Sequence, residues 1–272
     1  MTPDDLRRIH ASSGWRDRRI EVFHDTSEGS VLVKGQRPPR GPWRYRVLNG
    51  VASVVRLPML RAAPAPGGAL GQHIEVERLR GLAAAGVRVP AVLHVADDFF
   101  VQRFLTGPML FALLRDGGAP ALLWWQRGLR MLVDLHARQQ YLSQGFTRNI
   151  IAVGDQLAMI DFEDDPLQVM PLAQAQARDW LAYLYTSAMT PPGPADDMAG
   201  LLHQALAEEP LAVQQALHSA ATRVARVLPR RRREAHRGWR RYLSMMQLTV
   251  SLLAAAPRPS NHNTQTSETP HA

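Results

Sequence analysis

The segment from Gln144 to Asp164 constrains this chain more than any other, because it carries two oxygen ligands to one end of a hairpin. Asn149 precedes the apolar run Ile150 to Val153, Gly154-Asp155 supplies a tight turn, and Leu157 to Ile160 return to deliver Asp161. A short-turned hairpin sets its two outer ends side by side, so the Asn149 amide and the Asp161 carboxylate are expected at one mouth. A hard cation such as Mg²⁺ takes a few such oxygens and completes its shell from water and phosphates. The expectation is the metal end of a nucleotide site.

The spacing extends beyond the hairpin. Leu135-His136, twelve further residues, Asn149-Ile-Ile, nine residues and Asp161-Phe162 resemble the catalytic loop, hairpin and D-F-G segment of the protein-kinase-like superfamily, with Glu163 in place of the glycine. Five residues before Asn149, where that family keeps its catalytic aspartate, stands Gln144, preceded by Leu142-Ser143. No activation segment ending in A-P-E follows Asp161. The resemblance is therefore closer to lipopolysaccharide-core sugar kinases and Rio-type or KEOPS-type kinases than to regulated protein kinases.

Composition sharpens one residue. Of 32 basic side chains all but one are arginine, and the exception is Lys34. It closes the apolar run Val31-Leu32-Val33, as the phosphate-binding lysine closes a strand in the family resembled. A compact ammonium reaches between α and β phosphates where a planar guanidinium fits badly. Ile74 to Pro90, ending Gly86-Val-Arg-Val-Pro90, resembles the C-helix of small-molecule kinases. It offers Glu75 as the partner of Lys34, and Glu77 as a competitor on another face. Gly86 is placed as a C-cap.

The resemblance implies an α+β, two-lobed protein-kinase-like fold, with a small β-rich N-lobe bearing one helix and a larger, mainly helical C-lobe. The expected divisions are an N-lobe over 1–101, a C-lobe over 102–257 and a disordered tail over 258–272. Ile20 to Phe23 and Ser30 to Lys34 read as a hairpin forming the second and third small-lobe strands. Residues 1 to 19 are polar and basic; within them Ser12-Ser13-Gly14 lies about where the family has its glycine-rich loop, but one glycine cannot do what G-x-G-x-x-G does, and it reads as an ordinary polar N-terminal turn with reduced cradling of phosphates. Phe99 to Phe104 read as the last small-lobe strand and hinge, with Gln102 and Phe104 as cofactor-binding positions. His136, ending a long helix from Pro120 to Tyr141, reads as a hydrogen-bonded core residue, and Asp179, within a helix from Ala173 to Met189, as a brace for the catalytic-loop backbone.

An insertion over about 36–70 separates Lys34 from the C-helix. Within it Trp43, Val47, Val51, Val54 and Val55 recur at helical spacing among Arg40, Arg44, Arg46 and Arg56. Such a basic amphipathic helix either lies on a membrane interface or packs on the N-lobe. The net charge of +8 calls for an anionic partner. Expected partners are a nucleotide and an anionic membrane surface or lipid-linked sugar; the arginines between Arg223 and Arg241 read as a solvated face, so nucleic acid is not expected. The chain is expected to be monomeric and cytoplasmic, with peripheral attachment to the inner face of the inner membrane. No cysteine, no G-x-S-x-G and no H-E-x-x-H is present, which removes thiol, serine-hydrolase and zincin chemistry.

The function implied is an ATP- and Mg²⁺-dependent phosphotransferase acting on a hydroxyl of a cell-envelope sugar-lipid or a protein Ser/Thr. Its site would comprise Lys34, Glu75, Gln144, Asn149 and Asp161, with Asn149 and Asp161 on the metal. Gln144 cannot take a proton as a carboxylate can, so a pseudokinase that binds nucleotide without transfer is the alternative; Glu163 or Asp164 could stand in as base.

Overall fold

In a computed structural model of the chain, the residues described are 1–38, 59, 61–63, 65–227 and 247–253. The amphipathic stretch at 43–57, the arginines from Arg230 to Arg241 and the expected tail lie outside them. Among the described residues, no helix is long and apolar enough to cross a membrane.

The small lobe is built on a four-stranded antiparallel sheet of β1 (Ile20–Thr26), β2 (Gly29–Gly35), β3 (Val92–Val95) and β4 (Phe99–Arg103), in the order β1-β2-β4-β3. Alternation along β2 and β4 divides their side chains between two faces. Val31, Val33, Phe99 and Val101 form one buried cluster with Ile9 and Trp15, while Phe100 joins a second cluster with Val76, Leu79 and Leu82. Lys34 falls in the alternate set from Val31 and Val33, so the strand that buries two valines outward turns the lysine toward the cleft.

That outward face explains the first departure from expectation. The turn expected at Ser12-Ser13-Gly14 is confined to Ser12 and Ser13, which join helices α1 (Pro3–Ala11) and α2 (Gly14–Arg18); the two helices deliver Ile9 and Trp15 onto the sheet. Helix α1 begins with a capping box in which Thr2 and Asp5 satisfy each other's backbone N–H groups, with Pro3 in the first turn. Asp5 also accepts from the Ser27 hydroxyl at 2.7 Å, tying the helix to the β1–β2 turn. These hydrogen bonds hold the Asp5 carboxyl well below the usual range, the Ser27 hydroxyl contributing most. The hairpin read from sequence is present, but as the first two strands of the sheet instead of the second and third.

Helix α3 (Gly68–Ala84) is the expected C-helix, beginning six residues earlier than Ile74. It ends as the sequence signalled: Gly86 adopts φ +74° and the Val87 amide returns to Leu82 O at 2.9 Å. Its buried positions, Val76, Leu79 and Leu82, pack into the core of the large lobe, so the helix is shared between the lobes.

The large lobe consists of α4 (Leu110–Arg115), α5 (Gly118–Ala137), the hairpin β5 (Ile150–Val153) and β6 (Gln156–Met159), α6 (Leu172–Ser187), α7 (Ala195–Ala207) and α8 (Leu211–Val227), with a further helical segment at 247–253. Trp125 and Leu129 of α5 meet Trp180, Tyr183 and Leu184 of α6 at its centre, all essentially inaccessible. Full burial of each such side chain is worth about 1.5–3 kcal/mol, which makes this pair of helices the rigid base for the loop between them. The two-lobed α+β arrangement expected from the sequence is the one observed, with α1 and α2 added to the one helix expected beside the small sheet.

Candidate active site

The cleft between the lobes encloses about 320 Å³, within the range of roughly 300–1,000 Å³ usual for small-molecule sites. Its walls are apolar: Ile20, Leu32, Pro90, Leu105, Met109, Ile151 and Ile160 line it. One end is ionic, formed by Lys34, Asn149, Asp161 and Glu163 together with Arg19 and Arg37.

Lys34, on β2, is 5% exposed, and Glu75, on α3, 3%. The lysine Nζ donates to Glu75 Oε1 in a close ion pair and stands 3.4 Å from Asp161 Oδ1. Burial by itself would push the Lys34 ammonium down; the charges of Glu75 and Asp161 outweigh it and hold the pKa above its ordinary value. A buried lysine is thus kept charged by two carboxylates, one on each lobe. Glu77 faces elsewhere: it is about half exposed and pairs with Arg80 on its own helix at 3.1 Å.

The hairpin is the device that presents the two candidate oxygen ligands, Asn149 and Asp161. Ile150 pairs with Met159, and the Ile160 amide donates to Asn149 O at 2.9 Å, so the strands carry Asn149 and Asp161 to one end. Asn149 donates from Nδ2 to Gln144 O at 3.3 Å, which anchors the amide group whose Oδ1 is the acceptor a cation would use. Asp161 has φ +72°, a left-handed conformation that costs a non-glycine residue about 1–3 kcal/mol. Among the described residues, no group of three or more His, Cys, Asp or Glu is placed to hold a metal ion. Two oxygens on a cleft rim do not make a closed zinc or calcium cage; they fit Mg²⁺, which draws the rest of its shell from water and phosphate.

The loop before the hairpin is held from beneath by α6. Asp179, fully buried, accepts from the Leu142 amide at 2.6 Å, and Thr186 Oγ1 accepts from the Thr147 amide at 3.1 Å. Gly145 lies so close that a Cβ there would stand 2.8 Å from Asp179 O, which is why glycine follows Gln144. His136 completes the support. Its Nδ1 is 2.8 Å from Glu209 Oε1 and its Nε2 3.5 Å from Asp179 Oδ2. Burial opposes the imidazolium, but the two carboxylates prevail and its pKa rises to about 9. His136 is thus a packed, paired core residue.

Gln144 reaches into a local network. Its Nε2 donates to Asp164 Oδ1 at 3.2 Å, and the Ser143 hydroxyl donates to the same oxygen. Arg178 approaches the other oxygen at 3.8 Å. The two acidic residues after Phe162 therefore diverge: Asp164 lies beside the catalytic-loop glutamine, whereas Glu163 is turned to Arg19, at 2.6 Å, and Arg37.

At the hinge, Gln102 and Phe104 both line the cleft. The Phe104 amide donates to Ser30 O at 3.0 Å and is thus committed to the sheet, so Phe104 contributes wall instead of a free donor. Helix α3 is also fixed to the loop: Arg78 stacks on the Tyr141 ring at 3.8 Å and donates to Tyr141 O at 2.7 Å. Sequence reasoning did not find Arg19, Arg37 or Arg78.

The chain matches no protein-family model and no curated protein. Among solved structures it is similar to an ADP-bound aminoglycoside phosphotransferase, APH(2'')-Ib, at 13% identity over 94% of this chain and 98% of that one, with a TM-score of 0.34. A likeness of that degree assigns neither an activity nor a ligand to this chain.

Proposed function

We propose that the cleft binds ATP with Mg²⁺ and that the protein is a phosphotransferase acting on a hydroxyl group. The observation that carries this reading is the row of ion pairs from buried Glu75 through buried Lys34 to the partly exposed Asp161 at the end of an apolar cleft. Burial opposes the charge on Lys34 while Glu75 and Asp161 both favour it, and a purely structural ion pair would not need to open onto a cavity.

In this reading the apolar walls take the base, Lys34 holds the α and β phosphates, and Glu75 anchors the ammonium from α3 while Asp161 faces it at 3.4 Å. Asn149 and Asp161 hold Mg²⁺, which neutralises charge on the phosphates when bound. The acceptor oxygen forms its bond to the γ-phosphorus as the bond to the β-γ bridging oxygen breaks, and ADP leaves. Its proton is taken up in the loop next to Asn149, where Asp164, 3.2 Å from Gln144 Nε2, supplies the carboxylate that position 144 lacks. Positioning and electrostatics carry most of phosphoryl transfer, so displacing the base by one side chain slows the reaction without ending it. The net charge of +8 suits an anionic acceptor such as a cell-envelope sugar-lipid.

The identity of Gln144 favours a second reading, a pseudokinase that binds nucleotide without transfer. Both are tested by following the γ-phosphate of labelled ATP in the presence of a cell-envelope sugar-lipid extract, with Asp161→Ala as the blank. Transfer above the blank is expected. Wild-type signal equal to the blank, with ATP still bound, selects the pseudokinase.

A further inference from the structure

Among the described residues the connection between β1 and β2, Ser27-Glu28, meets only the single glycine Gly29, yet something must meet phosphates at the cleft entrance. We propose that Arg19 and Arg37 are the phosphate cradle, and that Glu163 holds their guanidinium groups in place until a nucleotide diphosphate moiety displaces it. The proposal rests on the nucleotide reading above and assigns the cradle within it.

Arg19 sits immediately before Ile20, the residue paired with Lys34, so it enters the sheet beside the lysine. Its backbone is fixed: φ is +70°, its carbonyl accepts from the Gly35 amide at 2.8 Å, and its own Nε donates to Gly35 O at 3.3 Å. A guanidinium anchored at Nε keeps its two terminal nitrogens for another acceptor. Arg37 follows β2 on the other side of Lys34, and its carbonyl is held by the Gly68 amide at 2.7 Å. From these two positions both side chains converge on one carboxylate, Glu163, in the same cleft end as Lys34 and Asp161. Arg19 also comes within 4.0 Å of Glu75.

The result is a chain of three cations and three carboxylates, Lys34, Arg19 and Arg37 with Glu75, Asp161 and Glu163. It is neutral without ligand. Two guanidinium groups, each with one terminal nitrogen on a different oxygen of one buried carboxylate, are set to receive the oxygens of a phosphate in its place. Glu163 occupies the third place of the D-F-G-like segment, where a glycine would leave these arginines without an anion.

The test compares affinities for ADP and adenosine in EDTA by titration calorimetry, so that neither metal nor the γ-phosphate contributes. The ratio of the two affinities isolates the diphosphate. Arg19→Gln and Arg37→Gln are each expected to lower that ratio about tenfold, the size of one lost charge-assisted hydrogen bond. Glu163→Gln is expected to raise it, since the arginines no longer have to exchange one anion for another. If Arg19→Gln does not fold, Arg37→Gln and Glu163→Gln carry the test alone. An unchanged ratio in Arg37→Gln with unfolding at lower temperature would make the cluster a structural tie between lobes and overturn the proposal, as would a lower ratio in Glu163→Gln. A wild-type chain that binds neither ligand would remove the nucleotide reading itself, a result distinct from either.

Discussion

His136 Nδ1 and Glu209 Oε1 stand 2.8 Å apart with neither side chain reached by solvent, and Trp180 Nε1 donates to the same glutamate oxygen at 2.9 Å. The pair ties α5 to the start of α8 directly beneath the loop that carries Gln144. Its consequence is a pH dependence. The folded-state pKa of His136, about 9, lies above the ordinary 6.5, so the stability contributed by the imidazolium is complete below pH 6.5 and is lost as pH rises through 9. Urea unfolding followed by tryptophan fluorescence should show a falling midpoint between those values. His136→Ala should lose about 3–5 kcal/mol by leaving two buried carboxylates without their cation, together with that alkaline decline. A decline of the same size in the variant would contradict the assignment.

Lys34 and Glu75 should behave as one unit. Replacing either by Ala strands a buried charge, and the double replacement removes the penalty that each single change creates. Thermal unfolding of the four proteins is expected to give a double-mutant cycle with a coupling energy of about 0.5–3 kcal/mol. Glu77→Ala, on the exposed face, should leave stability within about 0.5 kcal/mol of wild type. Additive effects at Lys34 and Glu75 would show that the ion pair contributes nothing as a pair.

Gln144 and Asp164 define a test of where the acceptor proton goes. Asp164→Asn should lower turnover by roughly 10² to 10⁴, the usual worth of a general base, with nucleotide affinity retained. Gln144→Asp places a second carboxylate against Asp164, and two such groups in contact share a proton. Turnover in that variant is therefore expected to be higher than wild type only at elevated pH, with the acid limb of its rate profile moved upward. Full activity in Asp164→Asn would assign the proton elsewhere.

Gly145 marks the closest approach of the loop to α6. Gly145→Ala should drive Cβ into Asp179 O and push Leu142 and Gln144 off their supports, lowering stability by about 1–3 kcal/mol, the cost of overpacking. Differential scanning calorimetry would register it as a lower melting temperature; an unchanged one would mean that the loop has room to move.

What the sequence disclosed about this site was what local spacing can carry. Asn149 and Asp161 are joined by a turn with its own signature, Lys34 is the single lysine at the end of an apolar strand, and Gly86 marks the end of α3. Helix α1 is also within reach of the sequence, because Thr2-Pro-Asp-Asp5 is a helix start signal, although the polar and basic composition of the residues after it carries no apolar period of its own. The need to cover Val31 and Val33 on the face opposite Lys34 decides the matter only once the sheet is assembled. The ion pairs of Glu163 with Arg19 and Arg37, and the stacking of Arg78 on Tyr141, join residues from distant parts of the chain. In a sequence with so many arginines, nothing local distinguishes those three.

The nucleotide reading stands or falls on binding. Titrating the purified protein with ATP, with and without Mg²⁺, while following its melting temperature should show stabilisation by Mg·ATP that grows with ligand concentration. The shift should shrink sharply without the metal and be lost in Lys34→Ala and Asp161→Ala. No shift in the wild-type protein at millimolar Mg·ATP, or an equal shift in Asp161→Ala, would contradict it.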